Sequence, residues 1–457
     1  MGFILYIIIV GISLAMFVVK REQKLALLIF YSMCLSSVNT GAYIGASILT
    51  PSVCFLLSEV RRFGKYYTQL KSTTLFYPFV MMLAASFVVY CMSQNLQGAK
   101  GLFTIFKADF VIKYFAILYA LFSLRNIMGF KMVVNTAFIS ILILTAFGML
   151  NLITQHSIFV DWALEGATSL NSVTENAGAK FTDSTRFRVQ AMHLNPFVYG
   201  YICMFSSILF IYAWKKGFME KAKYTIALGC CLFGIITCAT RSIMLCSFIC
   251  YATYYVLTHK IAKKIPHIIV FFMLLYAFYL YIPFVHEKLQ FIGTMFGGEA
   301  DSEVRGSSIE MRLTQLAAVL YHVEGHFLFG RGYDFFRIDL GWEDGRDGLL
   351  DPDLEGLEGV QFSLLLERGV IGLLVYAIFW LSMLYLFYKY KKRDRQTCAL
   401  GISIIIGYLL FSIMNGELGA PFFAGLILGM GMRIYSLNND SIAKSSLTLS
   451  NTLNSQI

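Results

Sequence analysis

The residues of this chain best suited to chemistry are arginines and a few acids in two long polar stretches. These stretches, Gln155–Pro196 and His286–Gln361, interrupt sequence that is otherwise apolar. The first carries Arg186 and Arg188 ahead of His193-Leu194-Asn195-Pro196. The second carries five arginines, Arg305, Arg312, Arg331, Arg337 and Arg346, among many acids. Arg241 stands apart, in the sharp turn Ala239-Thr240-Arg241-Ser242 between two apolar runs. A guanidinium is a planar fork of donors matched to phosphate oxygens, so arginines from several segments suit a phosphorylated substrate. Arg241 is the most telling, because charge between membrane-grade segments is costly and tends to be functional; the alternative is an arginine snorkelling to the interface. Arg188 and Arg312 follow as phosphate ligands, then Arg186, Arg305 and Arg331, where plain solvation competes.

A general base would come from Glu358, with His326 second. For Glu358 the bland alternative is one acid in a solvated acidic loop; for His326 it is a structural role beside an apolar run. Tyr333 and Trp342 are the loop aromatics suited to stack on a sugar. Asp351-Pro352-Asp353-Leu354-Glu355-Gly356 imitates the start of a calcium loop, but the required glutamate six residues past the glycine is Phe362, so the signal fails. Asp109 and Lys113 are spaced to pair on one helix face as a structural ion pair.

These side chains need a scaffold, and composition names its class. The 457 residues are 58% hydrophobic and 14% charged, whereas a soluble domain carries about a quarter charged residues. Apolar windows of membrane-crossing length recur. The fold class is therefore all-α, a polytopic integral membrane protein with 12–13 transmembrane helices and a large external loop. The expected spans are 2–19, 25–39, 41–58, 74–92, 108–124, 132–153, 197–214, 224–239, 242–258, 266–285, 364–388, 397–414 and 421–434. They divide the chain into N-terminal helices (1–153), a first external loop (154–196), central helices (197–285), a large external loop (286–361), C-terminal helices (362–434) and a cytoplasmic tail (435–457). The Ser-, Asn- and Thr-rich tail is expected to be disordered. The first span lacks a basic leader and a small-residue cleavage site, so it is expected to be retained.

The net charge of +10 has a topological cause. Lysines and arginines fall in short clusters between spans: Lys20/Arg21/Lys24, Arg61/Arg62/Lys65/Lys71, Arg125/Lys131, Lys215/Lys216/Lys221/Lys223, Lys260/Lys263/Lys264 and Lys389–Arg395. With this span list every cluster lands on one side, which the positive-inside rule makes cytoplasmic, and both polar stretches land on the other. No nucleic-acid partner is implied. The ten cysteines lie in or beside apolar runs, which leaves neither an external disulfide framework nor a CxxC metal site. Inside the large loop, Ile309, Leu313, Leu316, Leu320 and Val323 form one apolar stripe at helical spacing. Such a helix is expected to lie in the membrane interface, with Arg312 addressing lipid phosphates.

The order Glu310-x-Arg312, His326-Phe327-Leu328-Phe329-Gly330-Arg331-Gly332-Tyr333 and Glu358-Gly359-x9-Gly369-x-x-Gly372 resembles the O-antigen polymerase and O-antigen ligase family of bacterial surface-polysaccharide enzymes. Arg188 through Asn195-Pro196, Thr240-Arg241-Ser242 and Phe362 through Gly372 support the resemblance, which covers about the C-terminal 60% of the chain. The ligase branch has His followed by Asn, Ser or Gln where this chain has Glu358-Gly359, which favours the polymerase branch and leaves the base open. The resemblance implies glycosyl transfer at the outer face of a bacterial inner membrane, with undecaprenyl-pyrophosphate-linked glycans as donor and acceptor. It implies arginines that stabilise the pyrophosphate leaving group, with no cofactor or metal, and membrane lipids and a chain-length regulator protein as further partners. The alternatives are an O-antigen ligase that transfers polymer to lipid A core, a lipid-linked polysaccharide flippase or transporter, and a non-enzymatic membrane scaffold. A flippase would bury charges at mid-span along a central path.

Overall fold

The computed structural model describes residues 2–36, 50–71, 73–93, 99–164, 187–259, 309–333, 335, 339–340, 351–354, 357 and 359–454. Among these the chain is all-helical, with no strand. Its order is α1 (Gly2–Val18), α2 (Arg21–Phe30, continued by a π turn to Leu35), α3 (Pro51–Glu59), α4 (Phe63–Lys71), α5 (Phe76–Met92) and α6 (Ala99–Ile105, continued by a π segment to Tyr114). Then come α7 (Phe115–Ser123), α8 (Ile127–Thr154), α9 (Ile158–Leu164), α10 (Pro196–Lys215), α11 (Lys221–Thr237) and α12 (Arg241–Thr258). The last four are α13 (Ile309–His322), α14 (Val360–Tyr390), α15 (Arg395–Asn415) and α16 (Ala420–Asn454).

Five described helices, α8, α10, α14, α15 and the Ala420–Asn438 part of α16, are long and apolar enough to cross a membrane. They fall within a few residues of expected spans. The protein is thus polytopic and all-α, and these five are the expected spans that the described residues show at full crossing length. Among the described residues a sixth candidate is the pair Pro51–Lys71 and Phe76–Met92, taken as one span across a 116° bend. Among the shorter elements, α1, α5 and α11 have 17 residues each, about 25 Å of helix against a hydrocarbon core of about 30 Å. The expected spans 25–39 and 108–124 are each interrupted by a π segment, and 266–285 lies outside the described residues.

The caps follow from local chemistry. Asn195 accepts from the Phe197 amide and Pro196 opens α10, where its missing N–H costs nothing. Asp394 accepts from the Gln396 and Thr397 amides to start α15. α10 sits at the centre, buried along nearly its whole length. Around it α12 packs on α15, α11 on α10, α14 on α5 and α15, and α7 on α16. In the last pair Gly425 and Gly429 face Ala116, Ile117 and Ala120, the small-residue contact that lets membrane helices approach closely. The tail differs from expectation, for α16 continues as helix to Asn454. A helix nucleated by the buried Ala420–Ile434 stretch extends at little cost per added residue.

Polar contacts sort the two ends of the bundle. At one end Lys216 Nζ meets Asp394 Oδ2 at 2.6 Å, Tyr254 OH donates to Gln396 Oε1 at 2.6 Å, and Arg433 Nε donates to the Leu124 carbonyl at 2.8 Å. At the same kind of end Glu59, 2% exposed, gathers Lys24 at 2.7 Å, Arg62 at 3.0 Å and Arg21 at 3.4 Å. Burial alone would push this carboxyl up; hydrogen bonds from Lys24, Tyr66 and Arg62 outweigh it and hold the pKa at about 2. Basic clusters that the sequence separates are therefore drawn together by shared acids.

At the opposite end Val189 N donates to the Thr237 carbonyl at 3.1 Å and Tyr201 OH to the Leu418 carbonyl at 3.1 Å. There Ser242 Oγ donates to Asn415 Oδ1 at 2.9 Å and Arg312 Nη2 to the Met414 carbonyl at 3.0 Å. The described flanks of both polar stretches thus meet at one end, away from the lysine-rich end.

Candidate functional site

Three of the arginines expected to grip phosphate lie along one rim at this end. Arg241 is the first residue of α12, and its neighbour Ser242 bonds Asn415 at the end of α15. One residue earlier on α15, the Met414 carbonyl takes the Arg312 guanidinium, which ties α13 to the rim. Arg188 is followed by Val189, whose amide donates to the Thr237 carbonyl at 3.1 Å, and the residue after Thr237, Cys238, contacts Thr240 Oγ1 at 3.1 Å. The path Arg188–Val189–Thr237–Cys238–Thr240–Arg241–Ser242–Asn415–Met414–Arg312 is continuous, although its members come from four distant parts of the sequence. All three arginines are half-buried, a setting in which their fields are less screened than on an open surface.

α13 departs from the expected stripe. Its buried side is Gln315, Ala318, Val319 and Val323, packed with Leu354, Phe362 and Leu366. Leu313 and Leu320 are exposed, at 62% and 45%. The spacing signalled a helix correctly, but two of the five stripe residues face outward because the α14 start supplies the partner surface on the other side. With Tyr321, Phe327 and Leu328, also exposed, they form an apolar flank suited to an interface or a lipid chain.

At the C-terminal end of α13, His322 Nε2 meets Asp351 Oδ2 at 2.7 Å, the two side chains being 16% and 22% exposed. Asp351 Oδ1 accepts from the Asp353 amide at 3.0 Å, so the aspartate is fixed from both sides. This explains the calcium-like sequence: Asp351 caps a turn and orients a histidine. Arg331 Nε donates to the His322 carbonyl at 2.6 Å, and its guanidinium carbon lies 5.5 Å from the Phe335 ring centre. Arg331 is otherwise exposed, leaving its terminal nitrogens facing outward beside the histidine.

Below this pair α14 is broken. Gly369 has φ 63° and ψ −165°, a region essentially reserved for glycine. The break frees two carbonyls and two amides, and the segment 327–332 takes all four. Arg331 N donates to Leu366 O at 2.9 Å, Gly332 N to Glu367 O at 2.9 Å, Val370 N to Phe327 O at 3.0 Å and Ile371 N to Leu328 O at 3.1 Å. The backbones approach so closely that a Cβ on Gly330 or Gly369 would strike the opposite chain. Between the glycines of Gly369-x-x-Gly372, a Cβ at Gly372 would strike the Arg368 side chain.

Arg368 is the keystone of a buried ion cluster. Its Nη2 meets Asp109 Oδ2 at 2.7 Å, Lys113 Nζ lies 3.5 Å from Asp109 Oδ1 and 2.6 Å from Glu417 Oε2, and Tyr408 OH donates to Glu417 Oε1 at 2.8 Å. Two cations and two anions leave the cluster neutral. The Asp109–Lys113 pair read from spacing is present, enlarged by Arg368 and Glu417 from far along the chain. Arg368 also lines a small, partly open cleft between α5 and α14, with Met82, Ser86, Val89 and Tyr376. The Arg368 guanidinium also lies 4.8 Å from the Tyr333 ring centre, and Tyr333 N donates to Ser93 Oγ at 2.8 Å.

Tyr333 corrects the sequence reading, since a ring only 6% exposed and covered by Arg368 packs the loop and has no face for a sugar. His326 is exposed at the turn that starts the docked segment, its amide bonded to the Val323 carbonyl. His193 is fully buried, and burial pushes its pKa down to about 3, so it stays neutral. Glu358, Arg186, Arg305, Trp342, Arg337 and Arg346 lie outside the described residues. No family model and no curated protein matches the chain. The site must therefore be read from its own chemistry. One end of α13 offers half-buried cations of a kind suited to phosphate, and the other offers an oriented imidazole with a second cation beside it. Sequence reasoning passed over His322, whose only signal was its place at the end of a helix in a polar loop, and Glu417, which has no local signal.

Proposed function

We propose that this protein is a membrane glycosyltransferase that joins polyprenyl-pyrophosphate-linked oligosaccharide repeats into a polymer. The inner-membrane location, the periplasm-facing site and the undecaprenyl carrier rest on the family resemblance and the charge asymmetry of the loops. One observation carries the reading: the segments bearing Arg188, Arg241 and Arg312 are separate in sequence yet share the rim opposite the lysine-rich end. A polymerase holds two lipid diphosphates at once; half-buried guanidiniums fixed on one rim grip one of them without reorganising, and the donor's leaves once a cation meets the charge developing on it. The acceptor hydroxyl then attacks the anomeric carbon with help from a base. The closest rival reactions are transfer of finished polymer to lipid A core and translocation without bond chemistry. The buried Asp109–Lys113–Arg368–Glu417 cluster favours the transporter rival, because intramembrane charge often marks an ion or substrate path. Its internal neutrality and its role in holding the Tyr333 loop favour a structural duty instead.

The test is purified protein in lipid discs given only lipid-linked repeats, with and without chelator, products sized on a gel. A ladder of lengthened glycans supports polymerisation. Unchanged repeats refute it, and flipped but unlengthened repeats support the transporter.

A further inference from the structure

We propose that the His322–Asp351 pair is the general base of this site and that Arg331 receives the donor diphosphate beside it. The inference rests on the glycosyl-transfer reading above and replaces Glu358 and His326 as base. Its ground is geometric. The carboxylate of Asp351 meets Nε2 at 2.7 Å, which keeps the ring proton on Nε2 and presents Nδ1 as the lone-pair nitrogen. Nδ1 has no hydrogen-bond partner among the described residues. Asp351 is itself pinned by the Asp353 amide, so it fixes the ring's orientation, the division of labour that base–carboxylate pairs use elsewhere. The imidazole is held edge-on by Phe335, their ring centres 6.1 Å apart, yet keeps 16% of its surface open. His193, by contrast, is fully buried and has no such opening.

Arg331 completes the arrangement. Its Nε is anchored on the His322 carbonyl at 2.6 Å, which fixes the guanidinium at the histidine's own backbone. The segment that carries it is clamped by the four hydrogen bonds across the α14 break. His322 and Arg331 are therefore held by one rigid unit and can face a single reacting centre. Arg312, ten residues earlier on the same helix, is about 15 Å away along the axis. The rim arginines then suit the diphosphate of the second lipid-linked glycan, whose attacking sugar lies at the far end of its repeat.

The step balances without a redox partner. The acceptor hydroxyl gives its proton to His322 Nδ1 while its oxygen forms the new bond to the anomeric carbon. The bond from that carbon to the diphosphate oxygen breaks, and its electron pair leaves with the lipid diphosphate, held by Arg331. His322 then releases the proton to water.

The experiment uses full-length protein in lipid discs with lipid-linked repeats, and the variants His322→Ala, Asp351→Asn and Arg331→Lys. His322→Ala is expected to lower kcat about 100-fold or more, and added imidazole is expected to restore part of it, which no structural loss would allow. Asp351→Asn, which preserves size, is expected to lower kcat at least about tenfold with KM retained. Arg331→Lys is expected to raise KM and lower kcat together. Wild-type turnover in His322→Ala overturns the dyad and leaves the transferase reading standing. So does lost turnover that imidazole fails to rescue while Asp351→Asn works normally. A wild-type protein that lengthens no glycan removes the reading and the dyad with it.

Discussion

Replacing Gly369 by alanine isolates what the break in α14 is worth. The backbone there, φ 63° and ψ −165°, strains any L residue by about 1–3 kcal/mol. Gly416 adopts nearly the same conformation, φ 73° and ψ −174°, but a Cβ there meets nothing within 4 Å. Gly416→Ala therefore carries the strain alone. At Gly369 the added methyl also strikes the Leu328 carbonyl and the Gly330 amide, so the docked segment must withdraw. Four hydrogen bonds go with it, at about 1 kcal/mol net each. The extra loss is about 4 kcal/mol, a factor of about 10³ in local opening at 1.4 kcal/mol per decade. Hydrogen–deuterium exchange in lipid discs reads this directly. Protection of the Arg331, Gly332, Val370 and Ile371 amides is expected to fall about 10²- to 10³-fold in Gly369→Ala and little in Gly416→Ala. Equal protection loss in the two variants would mean that the segment does not stabilise the break.

Arg241→Lys is expected to abolish chain growth with membrane insertion unchanged, because an ammonium cannot replace the planar fork; wild-type polymer length in cells would remove Arg241 from the mechanism. Asp109→Asn strands the Arg368 charge and is expected to cost about 3–5 kcal/mol, while Asp109→Asn with Arg368→Gln costs less, as thermal unfolding of the two proteins would reveal. Glu59 binds its proton less readily when folded, its pKa lowered from 4.5 to about 2. The stability it lends the α2–α3–α4 junction is complete above about pH 4.5 and is lost as pH falls toward 2. A Glu59→Gln protein should lack that acid-sensitive portion, which denaturation at a series of pH values measures.

The long apolar helices were legible because roughly twenty uninterrupted apolar residues admit one solution in lipid. Short and broken ones were not: π segments at Tyr31–Leu35 and Phe106–Tyr114 carry no compositional mark. The rim was half-legible. Arg241 announced itself by standing between apolar runs, but its meeting with α15 through Ser242 and Asn415 depends on residues 173 positions apart, which no local pattern encodes. The same holds for His322 and Asp351, each ordinary in its own neighbourhood. Asp351 stands in a calcium-like stretch whose signal fails at Phe362, and nothing local points to His322. Tyr333 was read as a surface aromatic because its loop is polar, whereas Ser93 and Arg368 pull it inward.

The gap in α14 also constrains how the chain can be divided. Residues 360–390 cannot complete their own backbone bonding, since Leu366, Glu367, Val370 and Ile371 look to residues 327–332 for partners. Inserted alone, this helix would carry four unmatched polar groups at the edge of the hydrocarbon, each costing several kcal/mol. A protein split between Leu340 and Asp351 should consequently yield a C-terminal fragment that is degraded by itself. Co-expression of the N-terminal fragment should rescue it, the earlier-synthesised half serving as its assembly template.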